Sequence, residues 1–307
     1  MNTAKNKTIA VSIDLDPIDH YLSCRGFSPL AETNLNAVYD EGIPGFISLF
    51  EEYDIKATFF VVGKDALIEK NSELIRLLHN SGHEIANHSM DHRLDLYKLN
   101  KDELRKQIVS ADTILSEIIQ EPLAGFRAPG WNISPAIFDV LEELDYKYDS
   151  SVMPGPWIPF YRAANNILNR GTTPENFREQ KTFPPAPDQP YFPGQYQLWK
   201  KGNRSVLEIP CGVSPGLRIP FYGTARITLG ETVHNLAVAT SGGKNKKMVY
   251  VFHGIELVDF ETQIKDPRLR VKSGITWPLK RKIETARQTI ESLKTNFNIC
   301  RIKDITD

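Results

Sequence analysis

Apolar and polar positions change period repeatedly along the chain. Residues 8–15 (TIAVSIDL) are short and rich in β-branched side chains, which predicts a strand. Leu35, Val38, Phe46, Leu49, Phe50 and Tyr53 recur at helical spacing. Gly42 and Pro44 interrupt them, so the helix proper is expected to start near Pro44, where proline suits a first turn. Residues 57–62 (ATFFVV) are continuously apolar, as in a strand covered on both faces. An amphipathic helix is expected over 65–80, with Gly82 just past its end, and then a short strand over 84–86. Helical period returns at 101–120, a strand at 123–126, and a helix at 134–144 opened by the Ser134 cap and Pro135. Further strands are expected at 146–148, 206–209 and 248–252, and helices at 231–240 and 280–297. A closing apolar segment falls at 299–302.

Strand and helix alternate, which argues for a parallel sheet with covering helices. A second regularity favours a barrel. Asp14 and Asp16, His88 and His92, Arg127 and Trp131, Asp149 and His253 each fall at or just after the end of a predicted strand. In α/β barrels those ends form one face, where chemistry collects. The expected class is therefore α/β, a barrel in one domain spanning 1–307.

One stretch breaks the rhythm. Residues 154–194 hold nine of the 20 prolines together with Trp157, Phe160, Tyr161, Phe183, Tyr191 and Phe192. So many aromatics do not fit a disordered linker. An ordered insertion, 154–205 in full, is expected to lie over the active face as a substrate wall or subunit contact.

Composition narrows the class. Lys plus Arg total 37 and Asp plus Glu 38, a formal net charge of −1, which gives no reason to expect nucleic acid as a partner. Cys24, Cys211 and Cys300 are odd in number and far apart, which fits a reducing compartment rather than a disulfide framework. No signal-peptide-like apolar region opens the chain, and no run reaches the ~18–20 apolar residues of a membrane span. A cytoplasmic location is the expectation. Between 265 and 303 there are eleven Lys or Arg and three Asp or Glu. This run is read as a solvated helix face, with an anionic substrate or peripheral membrane contact as the alternative.

The candidate chemistry is hydrolytic. His88 and His92 stand four residues apart, a spacing that puts two imidazoles on one face of a helical turn. Asp14 and Asp16 stand two apart on a strand and so point to the same side. One carboxylate and two imidazoles can hold a metal ion with a position left for water. Asp16, His88 and His92 are the candidate ligands and Asp14 the candidate base. Arg127 is placed to pair with Asp14, and His253, arriving on a distant strand, is the candidate general acid. His20, after the first aspartate pair, is a candidate pocket residue.

Asp-x-Asp, His-x-x-x-His, Arg-x-Pro-x-Trp, Asp-Ser-Ser and strand-His, in that order, resemble the polysaccharide deacetylases of the NodB-homology type, carbohydrate esterase family 4. The resemblance covers roughly 8–153 and 205–300. It implies a distorted (β/α)7-type barrel, one divalent metal ion, usually zinc, and hydrolysis of N-acyl groups, mostly on amino sugars. By position it gives the base role to Asp14, ligation to Asp16, His88 and His92, base orientation to Arg127 and the acid role to His253. It also makes Trp131 a groove wall, and Asp149 is taken as a substrate contact or the partner of His253. The chain departs in one respect: Leu15 separates aspartates that are more often adjacent. The spaced form resembles an intracellular branch that includes deformylases of lipid-linked sugars and deacylases of small cyclic amides. An amino-sugar substrate, anionic or lipid-linked, is expected. Hydrolysis of a non-sugar cyclic amide and carbohydrate binding without turnover are the competing readings, and a homo-oligomer is admitted.

Overall fold

The computed structural model describes residues 7–23, 25–155, 186–241 and 245–306. Its centre is a curled sheet of eight parallel strands: β1 (Thr8–Asp14), β2 (Thr58–Val61), β3 (Glu84–Asn87), β4 (Gly125–Phe126), β5 (Tyr148–Asp149), β6 (Leu207–Glu208), β7 (Lys247–His253) and β8 (Asn298–Cys300). The order is β6-β5-β4-β3-β2-β1-β7, and β8 pairs with the first half of β1. β1 and β7 are in register from Thr8 opposite Lys247 to Asp14 opposite His253. β2 and β3 are buried along their whole length, as their apolar runs require.

The sheet curls towards closure, and among the described residues no ladder joins β6 to β7. The chain leaving β6 spans that seam with separate bonds: Gly212 N donates to Val249 O at 2.8 Å, and Val251 N to Phe221 O at 3.1 Å. At the opposite rim from the strand C-termini, Glu84 accepts from Thr58 Oγ1 at 2.6 Å and Tyr148 Oη at 2.9 Å. Burial raises the Glu84 carboxyl pKa, against the pull of those donors.

The covering helices are α1 (Ile18–Ser23), α2 (Ile43–Glu52), α3 (Gly63–Ala66), α4 (Glu69–Asn80), α5 (Lys101–Ile119), α6 (Pro135–Glu143), α7 (Gly223–Leu229), α8 (Glu231–Thr240) and α9 (Leu279–Asn296). The expected caps are present. Pro44 sits in the first turn of α2, and Ser134 Oγ accepts from Ile137 N ahead of Pro135. The helix expected over 65–80 is two helices, with Leu67 and Ile68 between them. α1 and α7 carry no clear period in so few residues and were not expected.

Most of the insertion expected over 154–205 lies outside the described residues. Its described end is tied to the barrel: Tyr191 exchanges backbone bonds with Glu208, and the buried Arg204 pairs with Asp139 and Glu142 on α6. The basic run at 265–303 is largely paired within the chain. Arg268 meets Asp266, Arg287 meets Glu52 and Glu284, Arg301 meets Asp304, and Lys282 is buried with Nζ on Val258 O. No helix among the described residues is long and apolar enough to cross a membrane. Cys211 and Cys300 are free thiols, and Cys24 lies outside the described residues.

Candidate metal and hydrolytic site

β1 ends at Asp14 because the chain turns at Pro17, and both aspartates reach the rim where the strands end. The Asp16 carboxylate faces two imidazoles. Its Oδ1 lies 3.1 Å from His92 Nε2 and 3.4 Å from His88 Nε2, and one donor atom from each of the three residues lies within 4.8 Å of the others. Burial raises the Asp16 pKa, yet His92 and the bonds from both imidazoles bring it well below the ordinary carboxylate value. Burial lowers the pKa of His92, which Asp16 only partly offsets. The favoured forms are thus an ionised carboxylate and a neutral imidazole, the forms that bind metal.

The histidine pair was expected on a helical turn, and the structure corrects this. His88 and His92 sit in an irregular loop after β3, with Ser89 at φ 63° and His92 at φ 53°. Two left-handed residues in five turn the chain back on itself, so the rings meet with centroids 4.8 Å apart. Neighbouring elements hold this loop. Asn87 Oδ1 accepts from Ser89 N at 2.8 Å, and Asn87 Nδ2 donates to Ile108 O on α5. Gln107 of α5 accepts from Asp91 N and donates to its carboxylate.

Arg127 follows β4 and is fully buried. Its Nη1 donates to Asp14 Oδ1 at 2.5 Å and Ser12 Oγ at 3.0 Å, Nε to Ser150 O, and Nη2 to Ser150 Oγ. The guanidinium lies 4.0 Å from the Phe60 ring centroid and 4.9 Å from that of Trp131. This is the pairing expected of Arg127 and Asp14. The Arg127 backbone also orients a ligand, since its carbonyl accepts from His88 Nδ1 at 2.7 Å. A carbonyl only accepts, so Nδ1 carries a hydrogen, and this bond turns Nε2 towards Asp16. The donor set and this tautomer fit a divalent ion of the zinc type held by Asp16, His88 and His92.

His253 ends β7, directly opposite Asp14. Its Nδ1 lies 3.6 Å from Glu256 Oε1, on the helical turn Gly254–Leu257. Glu256 also accepts from Thr224 Oγ1 at 3.2 Å, and a Cβ at Gly223 would collide with the Glu256 carboxylate. Burial lowers the His253 pKa, but Glu256, Asp16 and Asp14 outweigh it and leave it raised.

The remaining candidates divide. The His20 ring packs edge-on against His92 at 4.1 Å, beside the cluster. Burial and His92 hold its pKa well below the ordinary imidazole value. Trp131 lies over Arg127 in a left-handed conformation and is 9% exposed, so one edge reaches the surface. Asp149 departs from expectation. It is fully buried, bonded to Ser151 N and Oγ, and sits in register with the equally buried Glu208. Its burial keeps it from a substrate, and the carboxylate beside His253 is Glu256. Glu256 and Tyr21, whose phenol donates to Asp16 Oδ2 at 3.0 Å, were not singled out in the sequence, and Ser150 entered only within Asp-Ser-Ser. The three-residue step from His253 to Glu256 was the one local signal available.

Residues 28–148 match the polysaccharide deacetylase family. The match stops at the first residue of β5, and Asp14, Asp16 and His253 lie outside it. A peptidoglycan deacetylase of Helicobacter pylori is 26% identical over 160 residues, 52% of this chain and 54% of that protein. A peptidoglycan-N-acetylglucosamine deacetylase of Bacillus cereus is 31% identical over 126 residues, 39% and 56% of the two chains. The chain thus spans about half the length of the curated relatives it matches. Among solved structures, the Puue allantoinase superposes with a TM-score of 0.59 at 17% identity, covering 100% of this chain and 91% of that one. The fold is shared with that protein, and at such identity nothing beyond the fold follows.

Proposed function

We propose that the chain is a metal-dependent N-deacetylase acting on an N-acetylated amino sugar of a glycan. One observation carries the reading: the Asp16–His88–His92 cluster shares its rim of the sheet with a carboxylate clamped by arginine and a histidine paired with a carboxylate. Binding alone needs neither of the flanking pairs. Similarity to two peptidoglycan deacetylases supports the substrate class.

Asp16, His88 and His92 would hold the ion, which when bound lowers the pKa of a water molecule and polarises the amide carbonyl. Asp14 takes a proton from the attacking water. Arg127 holds the Asp14 carboxylate in place through Oδ1. His253 hands a proton to the departing amine, and Glu256 keeps the imidazolium favourable until then. Trp131 walls the groove where the sugar ring lies, and His20 borders the cluster from α1.

The test is acetate release from N-acetylglucosamine oligomers and from peptidoglycan by zinc-loaded protein, alongside metal content. His88→Ala, His92→Ala and Asp16→Asn should each lose the ion, and Asp14→Asn should keep it without turnover. Full metal occupancy in the histidine variants would remove the site. Inert sugars with a hydrolysed cyclic ureide would move the chain to the cyclic-amide reading.

A further inference from the structure

We infer that Tyr21 is a positioning residue that restricts Asp16 to ligation through one oxygen, which rests on the metal centre proposed above. A carboxylate beside a cation has two equivalent oxygens and can use both. Here the two have separate duties. Oδ1 faces both imidazoles, at 3.1 and 3.4 Å, whereas Oδ2 accepts from Tyr21 Oη at 3.0 Å. For Oδ2 to turn towards a cation, that hydrogen bond must break, and an orphaned buried hydroxyl is costly.

The sequence puts Tyr21 there through α1. Pro17 turns the chain straight after Asp16, and α1 begins at Ile18. Five residues on from Asp16, the tyrosine returns over the carboxylate with its ring 7% exposed. The ring has a second contact, since Lys272 Nζ lies 4.7 Å from its centroid. The preceding residue of the same short helix, His20, packs on His92. α1 therefore touches two of the three donors and fixes the direction of each. Phenylalanine would fill the same space, and only the hydroxyl occupies Oδ2. The consequence is chemical: a one-oxygen Asp16 leaves more of the coordination shell for water and for the acyl carbonyl.

The experiment uses the full chain, Co²⁺ as a visible probe and Tyr21→Phe as the variant. Loss of the hydroxyl should let the second oxygen join, raising the coordination number and weakening the visible absorption of the Co²⁺ form. A crystal structure of the zinc-loaded variant should put both Asp16 oxygens at bonding distance, about 2.0–2.2 Å. Loss of a bond of this kind typically costs about 10–100-fold in affinity or activity, and here the loss should fall on kcat rather than KM. Superimposable Co²⁺ spectra, with a single Asp16 oxygen bound in both proteins, would overturn the inference. The zinc-loaded wild type gives a check independent of the variant: Tyr21 Oη must stay on Oδ2 while Oδ1 alone ligates, and two bound oxygens would also overturn it. Wild type that takes up no Co²⁺ would remove the metal centre itself, a different failure.

Discussion

Arg127 Nη1 lies 2.5 Å from Asp14 Oδ1, and both side chains are sealed from solvent. A buried ion pair is a weak source of net stability, but halving it strands a charge. Arg127→Ala should therefore lose about 3–5 kcal/mol, read by urea denaturation followed by circular dichroism. Asp14→Asn should also lower stability while reducing turnover by about 10²–10⁴. A stable Arg127→Ala protein with unchanged kinetics would contradict the role given to the pair.

His253 and Glu256 give a pH prediction with a definite sign. The native imidazole pKa is raised, so its contribution to stability is complete below the unfolded value near about 6.5 and fades as pH climbs through the native one. Glu256→Gln removes one of the groups that raise it. The alkaline limb of kcat/KM against pH should move to lower pH, with the largest loss of rate above neutrality. An unmoved limb would mean that Glu256 does not act through His253.

Asp149 and Glu208 are the next pair. Burial raises both carboxyl pKa values, and Asp149 pushes Glu208 further. The native protein therefore keeps a proton there that the unfolded chain releases, and stability is lost as pH rises from the unfolded carboxyl range through the native one. Glu208→Gln replaces the proton with a permanent N–H. The thermal midpoints of variant and wild type should agree near about pH 4, with the variant ahead by an increasing margin towards pH 8. Parallel curves across that range would sink this account.

A Cβ built on Gly125 would collide with Cζ of Tyr148, whose ring spans the barrel floor to reach Glu84. Gly125→Ala should lose about 1–3 kcal/mol through overpacking, measured by denaturant titration. Tyr148→Phe in the same background should not relieve it, because the clash is with the ring.

Much of the site was legible because strands have a period of two and end where chemistry collects. Asp14, Asp16 and His253 were found in that way, and the structure puts Asp14 and His253 side by side in register. His88 and His92 were found by a spacing whose assumed cause was wrong, since two left-handed residues do the work of a helical turn. Asp149 misled because a carboxylate at a strand end reads the same whether it faces a groove or a neighbouring strand, and Glu208 comes from 59 positions further on. Tyr21 and Glu256 escaped notice because each stands on a single short turn, too brief for a periodic signal, and acts only through what it touches.

The seam between β6 and β7 bears on how such a chain changes over generations. Every residue assigned to metal or proton transfer hangs from the unbroken run β7-β1-β2-β3-β4 or the loops leaving it. The crossing that follows β6 belongs to the side without a ladder among the described residues. A change of length in that crossing leaves the ladders between β7, β1, β2 and β3, which align the donors, intact.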